Sequence, residues 1–248
     1  MKIGNINNYY NQNKAPCFKD FKREVIKGLT GGLTQDVLWR NNTSVYRNDL
    51  PWTTLLKLLE EKYADDKQVS VVFYACSIGL EIYSYIIEVL EKCNPKSIQK
   101  FTPVIAKDID PFVINIANSK LVTLEDFEIE RINQHTNGHF NDYFEKNGKV
   151  DKKYSPTKKI TDLATFSVGD FTKEYKDLPK NNLILFVRNC WPYFTECNVE
   201  NLAKKLYEHL GNKCTLLTGN YDSSFFYDEN IFINAGFKQT KIPHVYEK

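Results

Sequence analysis

Five short stretches carry polar side chains of types that could do chemistry: "ACSIGLE" (75–81), "KDID" (107–110), "VGDF" (168–171), "VRNCWPYF" (187–194) and "TGNYD" (218–222). Each follows an apolar run. Asp108, closing the second run, can accept both hydroxyls of a ribose, or can simply cap the turn ahead of Pro111. Glu81 stands in the first turn after Gly79. It can grip a cationic amino group, or complement a helix dipole, which is sufficient reason for a glutamate there. Gly79 allows a tight turn but is common in any strand-to-helix junction. The two carboxylates, read with no nearby Lys or Arg, make a poor pyrophosphate cradle. A ligand carrying an ammonium and a ribose suits them better than a dinucleotide or a nucleoside triphosphate.

The elements that must position these residues alternate along the chain. "VSVVFYA" (69–75), "FTPVIAKD" (101–108), "ATFSVGD" (164–170), "NNLILFV" (181–187) and "KCTLLTG" (213–219) read as strands. Helices are expected over Gly79–Cys93, 111–121 with Pro111 in the first turn, 124–134, and 198–210 with Asn198 as N-cap. The tail reads as helix, Gly236, then a last strand. Ahead of the first strand, Trp52, Leu55, Leu56, Leu59 and Tyr63 share one face of an amphipathic helix. Strands separated by helices predict an α/β fold with a doubly wound, mostly parallel sheet. Ligands then bind outside the carboxyl ends of the strands, where the five polar stretches fall. The expected organisation is a short N-terminal helical segment (1–50) and one main domain (51–248) with a polar insertion at 135–162, whose Asn-Gly and Ser-Pro signals suggest a small hairpin or a surface insertion.

Composition narrows the classes. The 248 residues carry 33 basic and 31 acidic side chains, a net charge of +2, so no balance suited to a polyanion shows. Nucleic acid is not an expected partner. No apolar run reaches membrane-spanning length and the start is polar, which predicts a cytoplasmic protein without membrane insertion. The cysteines are scattered without a C-x-x-C pair and read as reduced; the scattered histidines predict no metal site.

Taken in order, the motifs resemble the chemotaxis-receptor methyltransferases (CheR-like), which use S-adenosylmethionine (SAM). The family's N-x-T-x-F-F-R is "NNTSVYR" (41–47), its S-T-G-E-E-P-Y-S turn is "SIGLEIYS" (77–84), and its D-I-D is 108–110. Its C-R-N-V-x-I-Y-F is "VRNCWPYF", and its G-H-S-E end is "TGNYD". Order and spacing agree over residues 40–222. The chain departs at Leu80, where the family has a first glutamate, at "GNK" in place of P-G-G, and in its short N-terminal region. The resemblance implies a Rossmann-like, class I SAM-dependent methyltransferase fold, with S-adenosylhomocysteine (SAH) as product. It implies a cofactor site at Asn41, Thr43, Ala75, Ser77, Gly79, Glu81, Asp108, Ile109, Asp170, Phe171, Arg188 and Asn189. Arg47 and Tyr193 are implied as catalytic, Arg47 orienting a substrate oxygen.

Methyl transfer from a sulfonium is an in-line displacement, so alignment and exclusion of water are the main tasks. A carboxylate acceptor is already ionised at neutral pH and needs no general base, whereas an alcohol or phenol usually does. The site residues include no histidine or lysine, which favours O-methylation of a carboxylate, such as a protein glutamate. A small-molecule methyltransferase on the same scaffold, or a SAM-binding protein without turnover, are the alternatives. "NCWPYF" resembles in part the N-P-P-Y of DNA amino-methyltransferases, but has an extra residue and only one proline before its tyrosine.

Overall fold

A computed structural model describes residues 43–148, 151–191, 196–220, 222 and 230–248. The expected N-terminal helical segment before Thr43, together with Asn41 and Tyr193, lies outside the described residues.

The strands form where the sequence is apolar on both faces. β1 (Ser70–Tyr74) and β7 (Leu183–Val187) lie side by side in parallel, with Tyr74 opposite Val187. Their side chains alternate between two cores, as strands buried on both faces must. Val71, Phe73, Ile184 and Phe186 enter one core, and Val72, Tyr74, Leu183, Leu185 and Val187 the other. Phe73 stacks on Phe186 at 3.8 Å between ring centroids. β2 (Val104–Asp108) and β6 (Ala164–Val168) extend the sheet parallel on one side, and β8 (Cys214–Leu217) parallel on the other. β10 (Val245–Glu247) and β9 (Lys238–Gln239) then close that edge antiparallel. The order is β6-β2-β1-β7-β8-β10-β9. Strand order reverses beside β1, which places the switch-point crevice over the carboxyl ends of β1 and β7.

The expected amphipathic helix is α1 (Trp52–Lys62), with Trp52, Leu55, Leu56 and Leu59 buried. α2 (Leu80–Lys92) follows the first turn as expected. The sequence reading missed α3 (Pro95–Phe101), a short helix capped by the Asn94 side chain with Pro95 in its first turn. The second strand therefore starts at Val104 rather than Phe101. α4 (Pro111–Ser119) and α5 (Asp126–Thr136) lie where expected. α6 (Lys158–Thr161) and α7 (Phe171–Glu174) are single turns. α8 (Glu196–His209) begins two residues before the expected Asn198 cap, so Asn198 is inside the helix and does not cap it. α9 (Ile231–Ala235) ends at Gly236.

Of the two forms expected for the insertion, a small hairpin or a surface insertion, the hairpin is present. β4 (Phe144–Lys146) and β5 (Lys153–Pro156) pair as a hairpin, and β3 (Val122–Thr123) completes a separate three-stranded antiparallel sheet. Phe140, Tyr143, Phe144 and Ile160 are buried beneath it. Phe140 stacks on Phe144, and Tyr83 of α2 meets Phe144 edge-on. Short apolar positions among charged neighbours thus dock the insertion on α2.

Gly79 turns β1 into α2 with φ +91°, a conformation that side chains rarely adopt. An added Cβ would lie 2.8 Å from the Phe166 ring. Gly79→Ala is therefore expected to cost about 1–3 kcal/mol, seen as a lowered thermal midpoint. A companion Phe166→Leu relieves the contact but not the backbone strain, so recovery is expected to be partial.

Candidate functional site

The segment carrying Arg47 is held on the fold by hydrogen bonds to two helices. Glu128, buried in α5, accepts the Glu125 N–H with Oε2 and the Ser44 hydroxyl (2.7 Å) with Oε1. Ser84 of α2 accepts the Tyr46 N–H at 2.8 Å and donates to the Leu80 carbonyl. The Tyr46 ring stacks on His135 at 3.7 Å, and His135 Nδ1 lies 2.8 Å from Glu88, which is also bonded by Thr53. Arg47 follows directly. Ser84→Ala leaves the buried Tyr46 N–H without its acceptor. A loss of about 1–3 kcal/mol in urea unfolding is expected, with no change of charge anywhere in the site.

Arg47 lines a cleft of ≈ 330 Å³ together with Asn48, Asp49, Asn189 and Asn220. The cleft thus joins the N-terminal segment to the ends of β7 and β8. Behind it, Arg188 is the electrostatic centre. Its side chain is 1% exposed and pairs with Asp49 at 2.8 Å and with Glu81. Its Nε donates to the Thr218 carbonyl at 3.1 Å. Burial pulls the Arg188 pKa down, offset in part by Asp49. Burial alone would raise Asp49, but Arg188 and then Arg47 outweigh it and hold that carboxyl below its usual range. The expectation of a first turn without basic neighbours is corrected here. Glu81 meets a guanidinium because β1 and β7 are adjacent in the sheet, so the residues after their ends converge.

The first turn itself alternates left-handed residues: Ala75 at φ 56°, Ser77 at φ 50° and Gly79. Ala75 is exposed, directly after buried Tyr74. Such a turn brings backbone close to a ligand without intervening side chains. The Ser77 N–H donates to Asp108 Oδ2 at 2.8 Å, and the Asp110 N–H to Oδ1 at 3.0 Å. Asp108 is 7% exposed. Burial raises its pKa, opposed by the Asp110 and Ser77 N–H groups. Each oxygen accepts one of these bonds and retains a lone pair. Ile109 is half-buried beside it.

The other candidates fall differently. Asp170 caps α7, accepting from the Thr172 N–H and hydroxyl and pairing with Lys173 at 2.6 Å. Burial would raise its pKa, but Lys173 and Thr172 outweigh it and hold the carboxyl low. Phe171 is 4% exposed and packs against Tyr74 and Trp191, at centroid distances of 5.1 and 5.7 Å. Trp191 is buried, with its indole N–H donating to the Val187 carbonyl at 2.8 Å. Thr43, half-buried, opens the described residues. Sequence reasoning left out Asn48 and Asp49; Asn220 and the buried Asp222 were collected with the fifth strand end but given no role. Asp49 carried a signal, an acid two positions after Arg47, but only the fold brings it to Arg188. Among the described residues, no group of His, Cys, Asp and Glu could hold a metal ion, and no helix is long and apolar enough to cross a membrane.

The ligand that this geometry suits carries an ammonium and a ribose. Glu81, with Arg188 held behind it, offers a carboxylate to the ammonium, and Asp108 offers acceptors for vicinal hydroxyls. The fold and this crevice define a Rossmann-like, SAM-dependent methyltransferase. The family model described as CheR methyltransferase, SAM binding domain, matches residues 41–240, and the chain belongs to that family. Similar solved structures include a TehB-like SAM-dependent methyltransferase from Corynebacterium glutamicum, 13% identical, covering 78% of this chain and 86% of that one, with a TM-score of 0.40. A magnesium protoporphyrin IX methyltransferase from Synechocystis with bound SAM is 12% identical, with 78% and 76% coverage and a TM-score of 0.34. The comparison with curated proteins returns no match.

Proposed function

We propose that this methyltransferase acts on a carboxylate oxygen. The observation that carries the reading is the cleft lining among the described residues: one arginine, three asparagines and one aspartate that Arg188 neutralises. Among the described residues of the lining, no histidine or lysine stands to take a proton. Asp49 is a poor base, because Arg188 and Arg47 keep its proton affinity low. A hydroxyl or phenol acceptor would lack the help it needs, while a carboxylate needs none. Arg47 supplies paired donors to orient the acceptor oxygens, and the Asn48, Asn189 and Asn220 carboxamides satisfy its remaining polar groups.

In this reading Glu81, held in place by Arg188, receives the cofactor's ammonium, and Asp108 its ribose hydroxyls. The turn at Ala75, Ser77 and Gly79 gives backbone contact. Bound there, SAM supplies an electrophilic methyl on its sulfonium. The protein's task is to hold the acceptor oxygen in line with it and keep water out.

The test is acceptor profiling with methyl-labelled SAM, using glutamate-rich peptides beside phenols, amines and alcohols. Carboxylate transfer yields a methyl ester that releases volatile label on mild base treatment. Label that stays fixed after base would rule out the ester and move the assignment to another acceptor class.

A further inference from the structure

The two strand ends that frame the cleft are tied together by a carboxylate that does not line it. Asp222 is 4% exposed. Its Oδ2 accepts the Asn189 and Gly219 N–H groups, both at 2.7 Å, and its Oδ1 accepts the Trp191 N–H at 3.0 Å. Asn189 and Trp191 follow β7, and Gly219 follows β8. Asn189 is held at φ 58°, a left-handed conformation that needs outside support in any residue with a side chain. Its carboxamide lies so close over Gly219 that a Cβ there would run into it. Arg188 sits between these anchor points, since it precedes Asn189 and bonds the carbonyl of Thr218, the residue before Gly219. One carboxylate therefore fixes the backbone on both sides of the guanidinium that meets Glu81, and fixes the asparagine that lines the cleft.

We propose that Asp222 is a positioning residue for methyl transfer, its ionised carboxylate holding Asn189, Trp191 and Gly219 so that Arg188 keeps Glu81 in place and Asn189 lines the cleft. This rests on the assignment of Arg188 and Asn189 to the cofactor end of the site. The three backbone N–H bonds that Asp222 accepts, with the Arg188 to Thr218 bond beside them, join the end of β7 to the end of β8. Protonation would turn one oxygen into a donor facing an N–H, and the staple would slacken.

The surroundings place that change near neutrality. Burial pushes the Asp222 pKa up to about 7, against the pull of Gly219, Asn189, Trp191 and Arg188. Among the described residues, the charged and titratable groups facing it are Arg188 and the Cys190 thiol, which burial and the Asp222 charge push well up. Asp49 and Arg47 act on Arg188, and Asp108 acts on Cys190 from the β2 side. Because the folded pKa is raised, protonation eases the burial of Asp222 as pH falls, while it loosens the hydrogen bonds that align the site.

The experiment follows the amide resonances of Asn189, Trp191 and Gly219 in the full chain between about pH 8 and pH 6, alongside SAH affinity by calorimetry. The three amides are expected to titrate together, and SAH affinity to fall about tenfold with them on acidification. Asp222→Asn is expected to weaken SAH about tenfold or more at the alkaline end and to flatten the profile. Asp108, whose carboxyl burial also raises, is present in both proteins, so the difference between the two profiles is what counts. A variant with wild-type affinity and profile overturns the proposal. If the variant does not fold, the wild-type curves decide: amides that titrate without a matching change in affinity also overturn it. Asp108→Ala separates the two levels. If it loses SAH while Asp222→Asn does not, the cofactor site is right and the positioning role is wrong. If neither changes affinity, the cofactor assignment fails beneath both.

Discussion

Arg188→Met is expected to cost the fold about 3–5 kcal/mol, more than any other single substitution in the site. The side chain is 1% exposed, and its partners Asp49 and Glu81 are only 11% and 13% exposed. Methionine fills much of the same volume, so the loss is electrostatic rather than a cavity. Two carboxylates would be left close together in a crevice with the cation gone, and the Thr218 carbonyl would lose its donor. Removing one member of a buried pair strands the others, whereas removing all members together does not. Adding Asp49→Asn and Glu81→Gln to Arg188→Met is therefore expected to recover most of the stability, though not SAM binding. The exposed Lys173–Asp170 pair is the control. Lys173 is 68% exposed there, and its loss is expected to cost no more than about 1 kcal/mol. Urea unfolding midpoints, with unchanged slope, measure all three. A loss near the control value for Arg188→Met would show that the guanidinium is solvated and not locked between its partners.

The contrast between these two ion pairs also shows which parts of the molecule were legible in the sequence. Strands such as "VVFY" and "LILFV" declare themselves because both faces are buried, and every residue in them must be apolar. α1 was legible for the complementary reason: one face is apolar at helical spacing, and the other is charged. The polar residues after the strands could be collected because a parallel sheet sends its carboxyl ends to one side. Which of those ends touch is a matter of strand order, and no local pattern records it. So Glu81 and Arg188 were both singled out, but their contact was not. Asp49 was missed because its partner is brought to it only by the sheet. α3 was missed because seven residues offer little periodicity, and its one signal was Asn94 before Pro95. The core of the insertion was missed because its apolar residues are sparse, and only docking on α2 shows that they are buried. The family resemblance, read from motifs over 40–222, coincides with the family match over 41–240.

Asp108→Asn is expected to lower SAM and SAH affinity by about 100-fold or more while leaving the fold within about 2 kcal/mol of wild type. The two effects separate for a physical reason. Burial raises the Asp108 pKa above its ordinary value, so the protonated form is the one the fold favours. The stability linked to this group is fully present below the ordinary carboxyl pKa and is lost as pH rises through the raised one. At neutral pH the ionised carboxylate is thus a cost to folding, which asparagine removes. Against that gain, asparagine has one acceptor oxygen where two are used, and either the Ser77 or the Asp110 N–H is left unpaired. These changes oppose each other in the free protein. In the complex they add, because a neutral amide cannot give two charge-assisted bonds to a pair of ribose hydroxyls. The same logic makes the wild-type affinity fall as pH drops through the raised Asp108 pKa. Calorimetric titration of SAH into wild type and variant decides the matter. Equal affinities would mean that Asp108 serves only to cap the turns at Ser77 and Asp110, and the ribose would have to be sought elsewhere on the crevice.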